Sequence, residues 1–148
     1  MSLPTEGAAR VRVRYCECDP MGVAHHAAYA PWLELARTEL LRAGGLTYAD
    51  LERSGVFLVV TRLECRFHRP VYYDEVIEIR VRARARGRVR IDHDYEIVLV
   101  EPSAPREDDR TPDRALTSAS TTLACVGRDG QVRPLPEALA APPSPGEP

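Results

Sequence analysis

Between Tyr15 and Tyr29 the chain reads Tyr-Cys-Glu-Cys-Asp-Pro-Met-Gly-Val-Ala-His-His-Ala-Ala-Tyr, and the residues able to do chemistry concentrate there. Asp19 offers a carboxylate, Pro20 and Gly22 a turn, and the residues that follow begin a helix whose first N–H groups lack intrahelical partners. A thioester carbonyl directed at those N–H groups would have its developing oxyanion stabilised while Asp19 attacked the carbon or activated water. The chemistry this spacing allows is acyl transfer without a serine triad. Spacing alone leaves a plainer role open, with Asp19 capping an Asp-Pro turn and His25-His26 lying on a loop surface. A metal site built from Cys16, Cys18, His25 and His26 is disfavoured, because zinc sites use C-x2-4-C or H-x3-5-H spacing and adjacent histidines rarely converge on one ion. No metal ligand is assigned.

The elements that must position this segment follow from hydrophobic periodicity. Val11, Val13 and Tyr15 alternate with Arg10, Arg12 and Arg14, which predicts a strand over residues 8 to 16. From Tyr29 to Ala43 the residues Tyr29, Trp32, Leu33, Ala36, Leu40 and Ala43 recur at helical spacing, with Pro31 in the first turn and Gly44-Gly45 at the end. Glu34, close to Arg37 on that helix, reads as one half of a structural ion pair. Thr47 is the expected N-cap of a short second helix that ends near Gly55. Three alternating segments then predict long antiparallel strands: Phe57, Val59, Leu63, Cys65 and Phe67; Ile77 to Ala85; and Val89 to Leu99, with a hairpin at Gly87. Residues 101 to 114 read as an exposed loop, and 115 to 126 as a fifth strand. His68 and His93 fall within strand patterns and read as packing or hydrogen-bonding residues. One long helix among antiparallel strands argues for an α+β fold with the helix packed on one sheet face.

The ordered pattern Tyr-x-x-x-Asp-x-x-Gly-Val-x-x-His-x-x-Tyr, followed by Trp-Leu-Glu-Leu-Ala-Arg-Thr-Glu, resembles the signature of the 4-hydroxybenzoyl-CoA thioesterase family, especially its YbgC-like branch. Phe67-His-Arg-Pro-Val-Tyr-Tyr-Asp-Glu-Val resembles the family's R-P-x-x-x-x-D-x-[IVL] stretch at Arg69, Pro70, Asp74 and Val76. The resemblance implies a hotdog fold over roughly residues 9 to 127, a long helix wrapped by a curved antiparallel sheet, with active sites at a dimer interface and tetramers as the usual assembly. It implies an acyl-CoA substrate hydrolysed to free acid and CoA. Asp19 matches the catalytic carboxylate, as nucleophile or general base; His26 matches the position whose backbone N–H polarises the carbonyl, and Tyr15 and the His26 ring line the pocket. Gly22 matches the bend, Val23 and His25 border the substrate, and Arg86, Arg88 and Arg90 stand where the family often meets the nucleotide. Glu17 and Cys18 depart from the usual Asp and Thr, and His25 replaces an aromatic residue, which leaves the acyl group open. Two rival readings stand beside hydrolysis: a hotdog hydratase or dehydratase using His26 and Glu34, and a non-catalytic module binding acyl-CoA or acyl-carrier protein.

Composition narrows the remaining classes. The 148 residues suit a single domain, and with 44% apolar residues, 28% charged residues and a net charge of −2 nothing points to nucleic acid. All basic residues are arginine, many of them along one strand, where the expected role is a solvated face neutralised by Asp92, Asp94 and Glu96. No segment has the ~20 apolar residues of a membrane span and no export signal is visible, so the expected setting is cytoplasmic, with four reduced cysteines. No cofactor is called for. The Pro/Ala-rich tail, about residues 137 to 148, is expected to be flexible.

Overall fold

The computed structural model of the protein describes residues 3–140. In chain order they form β1 (Glu6–Arg12), α1 (Tyr29–Ala43), α2 (Tyr48–Arg53), β2 (Phe57–Phe67), β3 (Val76–Arg86), β4 (Arg90–Glu101) and β5 (Thr117–Val126). Single 3-10 turns at Tyr15–Glu17 and His26–Ala28 bracket the segment between β1 and α1. All strand pairs are antiparallel, in the order β1-β3-β4-β5-β2, so β1 and β2 are the two edges. One face carries α1, which is the hotdog arrangement implied by the resemblance.

The helix forms where its apolar residues share one face. Tyr29, Trp32, Leu33, Ala36 and Leu40 are buried against Val13, Ile77, Ile79, Val81, Tyr95, Ile97 and Leu99. The last turn closes through the Gly44 and Gly45 N–H groups, with Gly45 at φ 83, a left-handed position that glycine occupies without steric cost. Thr47 caps α2 as expected: its Oγ1 accepts the Asp50 N–H at 3.1 Å and the Asp50 carboxylate accepts the Thr47 N–H at 3.1 Å. The close approach of β1 to α1 depends on Gly7, where a Cβ would lie 3.0 Å from Leu40 Cδ1.

Three expectations are corrected. β1 stops at Arg12 rather than 16, because Glu17 Oε1 accepts the Arg14 N–H at 2.8 Å and closes a 3-10 turn that ends the alternation; Val13 is buried but Tyr15 turns outward. On β2 a bulge between Val60 and Arg62 breaks the period, and Val59, Val60, Leu63 and Phe67 are left exposed along an edge strand. The tail is not loose from 137: Leu135 and Leu139 are buried in a second cluster with Leu3, Leu51, Val56, Ile91 and Cys125. Residues 141 to 148 of the expected flexible tail lie outside the described residues.

The outward sheet face carries the arginines. Arg10 and Arg80 pair with Glu78 at 3.2 and 2.9 Å, Arg82 with Glu6 at 2.6 Å, and Arg84 with Asp94 at 3.2 Å. The expected neutralisation is present, though most of it comes from Glu6, Glu78 and Asp94 rather than Glu96. His93 points inward instead. Burial first, then the Arg37 and Arg86 guanidinium groups, pushes its imidazole down to about 4.

Two outcomes are expected. Leu33→Ala, which empties a fully buried position, should lower unfolding stability by ~3 kcal/mol in urea titrations. His93 is neutral when folded but titrates near ~6.5 when unfolded, so the unfolded state takes up the proton first. Stability present above that value should therefore be lost as pH falls toward about 4, and His93→Gln should flatten that part of the pH–stability curve.

Candidate active site

The segment between β1 and α1 folds as a small hairpin. Cys18 bridges Ala24, the Asp19 N–H donates to Val23 O at 2.9 Å and the Gly22 N–H to Asp19 O at 2.9 Å. Gly22 takes φ 78, the bend the sequence assigns to it. Asp19 Oδ1 accepts the Met21 N–H at 2.9 Å, so the plainer turn role is real; the other oxygen has no intrachain hydrogen bond among the described residues. One carboxylate oxygen is therefore held by the turn while the second has no such constraint.

Two contacts aim this hairpin at the helix. Glu17, with its side chain only 9% exposed, accepts from Trp32 Nε1 at 2.8 Å through Oε2 while Oε1 holds the Arg14 N–H. His25 precedes the second 3-10 turn as its N-cap, its Nδ1 accepting the Ala27 N–H at 3.0 Å and its ring tilted over His26 at 3.9 Å. His26 opens that turn, so its own N–H is among those a helix leaves without an internal partner. The Cys18 thiol is pushed up, first by burial and then by the Glu17 and Asp19 carboxylates, which keeps it protonated and poor as a nucleophile.

Beside the hairpin runs an open groove of ≈ 320 Å³ bordered by Val23, Ala24, His26, Tyr29, Phe67, His68, Arg69 and Pro70. Tyr29 and Phe67 meet edge to face at 4.8 Å, and His68 Nε2 lies 3.0 Å from Ser118 Oγ. A larger concavity, ≈ 680 Å³, lies on the outward sheet face between Glu6, Glu78, Arg80, Arg82 and Asp94. Its ionic groups pair with one another and no residue of the 15–29 segment lines it, whereas Val23, Ala24 and His26 line the groove, which is therefore the chemical candidate; Asp19 does not line the groove itself but is joined to it by its N–H bond to Val23 O.

The structure thus brings Asp19, Gly22, Val23, His25 and His26 into one hairpin and turn. Tyr15, 82% exposed, does not line the groove and packs edge to face with Tyr73 at 5.7 Å. Within one chain the hairpin arginines lie away from this segment. Gly22 to Ala24 of the Asp19 hairpin are tied to residues 71–73, just before β3 begins, while Arg86, Arg88 and Arg90 lie at or beyond its other end, and ~3.3 Å per residue puts roughly 30 Å of strand between them. Arg86 also folds inward to donate to Pro4 O at 2.9 Å, whereas Arg88 and Arg90 are exposed at the Gly87 hairpin. Glu34 stays outside the groove, 3.6 Å from Arg37, as the helix spacing indicates. Among the described residues no group of three or more His, Cys, Asp or Glu side chains is placed to hold a metal, and all four cysteines are free. Tyr29, Phe67, His68 and Arg69 as groove walls, and Glu17 as the strut to Trp32, escaped the sequence reading. Two resemblances pointed toward the first group, the motif that closes on Tyr29 and the Phe67-His-Arg-Pro stretch.

A family model described as Thioesterase-like superfamily matches residues 13–142. Over 65 residues the chain is 38% identical to the putative acyl-CoA thioesterase YneP of Bacillus subtilis, covering 44% of this chain and 47% of that protein. Over 70 residues it is 36% identical to the acyl-CoA thioester hydrolase YbgC of Escherichia coli, covering 47% and 52%. The chain spans about half the length of these curated relatives. Among solved structures, the DHNA-CoA thioesterase from Staphylococcus aureus superposes with a TM-score of 0.74 at 28% identity, covering 88% of this chain and 79% of that one.

The strut between hairpin and helix is directly testable. Trp32→Phe keeps an aromatic side chain of smaller volume and removes the donor to Glu17, and unfolding stability should fall by at least ~1–2 kcal/mol, read by chemical denaturation.

Proposed function

The chain belongs to the thioesterase-like superfamily, and from that premise we propose that it hydrolyses an acyl-CoA thioester to the free carboxylic acid and CoA. The observation that carries the reading is the Asp19 carboxylate, held by one oxygen on a hairpin hydrogen-bonded to the groove wall at Val23. In this reading the thioester carbonyl points at the N–H groups where His26 opens the helical turn, and charge developing on its oxygen is stabilised there. Asp19 either attacks the carbonyl carbon, expelling the CoA thiolate and leaving an anhydride that water opens, or takes a proton from the water that attacks. Neither route calls for a metal or organic cofactor, and the setting proposed is cytoplasmic, consistent with four unpaired thiols. Among the described residues, no helix is long and apolar enough to cross a membrane.

The groove needs a second chain in this proposal. β2 is an edge strand of eleven residues whose helix-side Val60, Leu63 and Phe67 are uncovered, with Phe67 in the groove wall and 53% exposed. Pairing with the β2 edge of another copy would cover this apolar row, close the groove and give a homodimer, from which a tetramer can be built. Arg88 and Arg90 would meet CoA phosphates only across such a pair, on the partner's site.

Two alternatives are weaker. A hydratase would draw on His26 and Glu34, but Glu34 pairs with Arg37 and does not border the groove. A binding module would keep the groove and dispense with Asp19 chemistry.

Thiol release from a panel of short, long, branched and aromatic acyl-CoAs tests the reading. Wild type should hydrolyse a subset and Asp19→Asn should lose at least ~100-fold in kcat with its melting curve unchanged. Binding without release by the wild type would favour the binding module. Light scattering should give a dimer or tetramer, and Leu63→Glu should shift it toward monomer with loss of turnover; a fully active monomer would overturn the shared-site reading.

A further inference from the structure

Residues 101 to 114 have the composition of an exposed loop, yet one of their side chains is among the most deeply buried charges in the molecule. The Arg110 side chain is 2% exposed and its Nη1 meets Glu75 Oε2 at 2.8 Å, with the Glu75 side chain fully buried. The same nitrogen donates to Pro70 O at 3.3 Å, and Nε donates to Asp108 Oδ2 at 2.9 Å. Glu75 Oε2 also accepts the Tyr72 N–H at 2.9 Å. The Tyr72 ring lies 4.7 Å from the Arg110 guanidinium and 3.4 Å from that of Arg106. Alongside, Arg69 grips Asp109 with two bonds of 2.8 and 2.7 Å, and Arg114 reaches the same carboxylate at 3.0 Å. The loop is therefore fastened to the 69–75 turn by side chains at both ends of that turn.

That turn is the surface on which the Asp19 hairpin hangs. The Ala24 N–H donates to Val71 O at 2.7 Å, Val23 bridges Tyr72, and the Tyr73 N–H donates to Gly22 O at 2.9 Å. Asp74 holds φ 67, a left-handed conformation uncommon for a residue with a side chain, and such a conformation persists only where the surroundings over-determine it. Glu75 and Arg110 supply that constraint from inside. A buried ion pair gains little over an apolar contact of equal volume, but removing one partner strands a charge, so it defines geometry more than it adds stability.

We propose that Arg110 and Glu75 are positioning residues for thioester hydrolysis, a buried pair that reaches from the 101–114 loop to set the turn carrying Gly22 to Ala24 and so the placement of Asp19 beside the groove. The inference rests on Asp19 as the reacting carboxylate. Neither residue touches substrate. Their effect is on where the hairpin sits, and a displacement of about 1 Å at a reacting group costs on the order of 100-fold in rate.

Glu75→Gln preserves shape and the Tyr72 acceptor while discharging the pair; Arg110→Lys keeps the charge and loses the fork, and Arg110→Met removes both. In the full-length protein, using whichever acyl-CoA the wild type turns over, Glu75→Gln and Arg110→Met should lose about 10- to 100-fold in kcat with KM within about 3-fold. Arg110→Lys should recover part of that loss. Hydrogen exchange supplies a readout independent of turnover: amides of residues 19–24 should exchange at least about 10-fold faster in Glu75→Gln while those of β4 and β5 stay unchanged. Unchanged exchange at 19–24 overturns the proposal, as does wild-type kcat in both charge-removing variants. Uniformly faster exchange overturns it too, since that marks a general stability role. Asp19→Asn measured alongside separates the two readings. If it retains turnover, the Asp19 assignment fails; if it is inactive while Glu75→Gln turns over normally, only the positioning role fails.

Discussion

Everything in this molecule depends on one helix burying one face. Trp32, Leu33, Ala36 and Leu40 leave water against Val13, Ile77, Ile79 and Ile97, and at ~2 kcal/mol for each large side chain this contact dominates what holds helix to sheet. It also decides where α1 begins. The first turns, at His26 and Tyr29, are delivered to the end of the sheet where the Asp19 hairpin sits, and Glu17 takes the indole N–H of a core residue, Trp32, to hold hairpin and helix together. The hairpin is thus attached to the core by a residue whose ring is part of that core.

The second determinant is polar. The hairpin packs Cys18 and Ala24 against the core, and its position is fixed further by hydrogen bonds to the 70–75 turn, which Glu75 and Arg110 hold from beneath. Apolar packing is tolerant of small shifts, whereas a buried carboxylate oxygen that accepts both the Arg110 guanidinium and the Tyr72 N–H fixes direction as well as distance. The division of labour is physical: the core supplies stability, and buried ionic contacts supply placement. The arginines of the outward sheet face do neither, because they are exposed and partnered across the strands in high-dielectric surroundings.

The edges of the fold carry its remaining asymmetry. β1 is covered by the helix on its inner face, but β2 is not, and the bulge at Thr61 with exposed Val60, Leu63 and Phe67 leaves an apolar row beside the groove. A groove bordered by one side of an unpaired edge is half of a concave site. In the proposed dimer, pairing through β2 is also what would enclose the groove.

What the sequence alone determined was whatever depends on local periodicity and local chemistry. The helix from Tyr29 to Ala43, its glycine stop, the Thr47 cap, the long strands and the Gly87 hairpin are all readable because each is set by residues within a turn or two of one another. The Asp19–Gly22 turn and its place before the helix were readable for the same reason. Tertiary structure decided the rest. Tyr15 faces outward because Glu17, claimed by Trp32 fifteen residues on, closes a turn that breaks the strand period. Arg110 is buried because Glu75, thirty-five residues earlier, needs a counter-charge, and nothing in a polar, proline-bearing stretch announces that need. Arg86 and the Asp19 hairpin are separated by the length of β3 because antiparallel pairing sends the two ends of a strand to opposite ends of the sheet. Long-range pairing follows from which buried charge finds which partner, and that is a property of the folded arrangement rather than of any window of the chain.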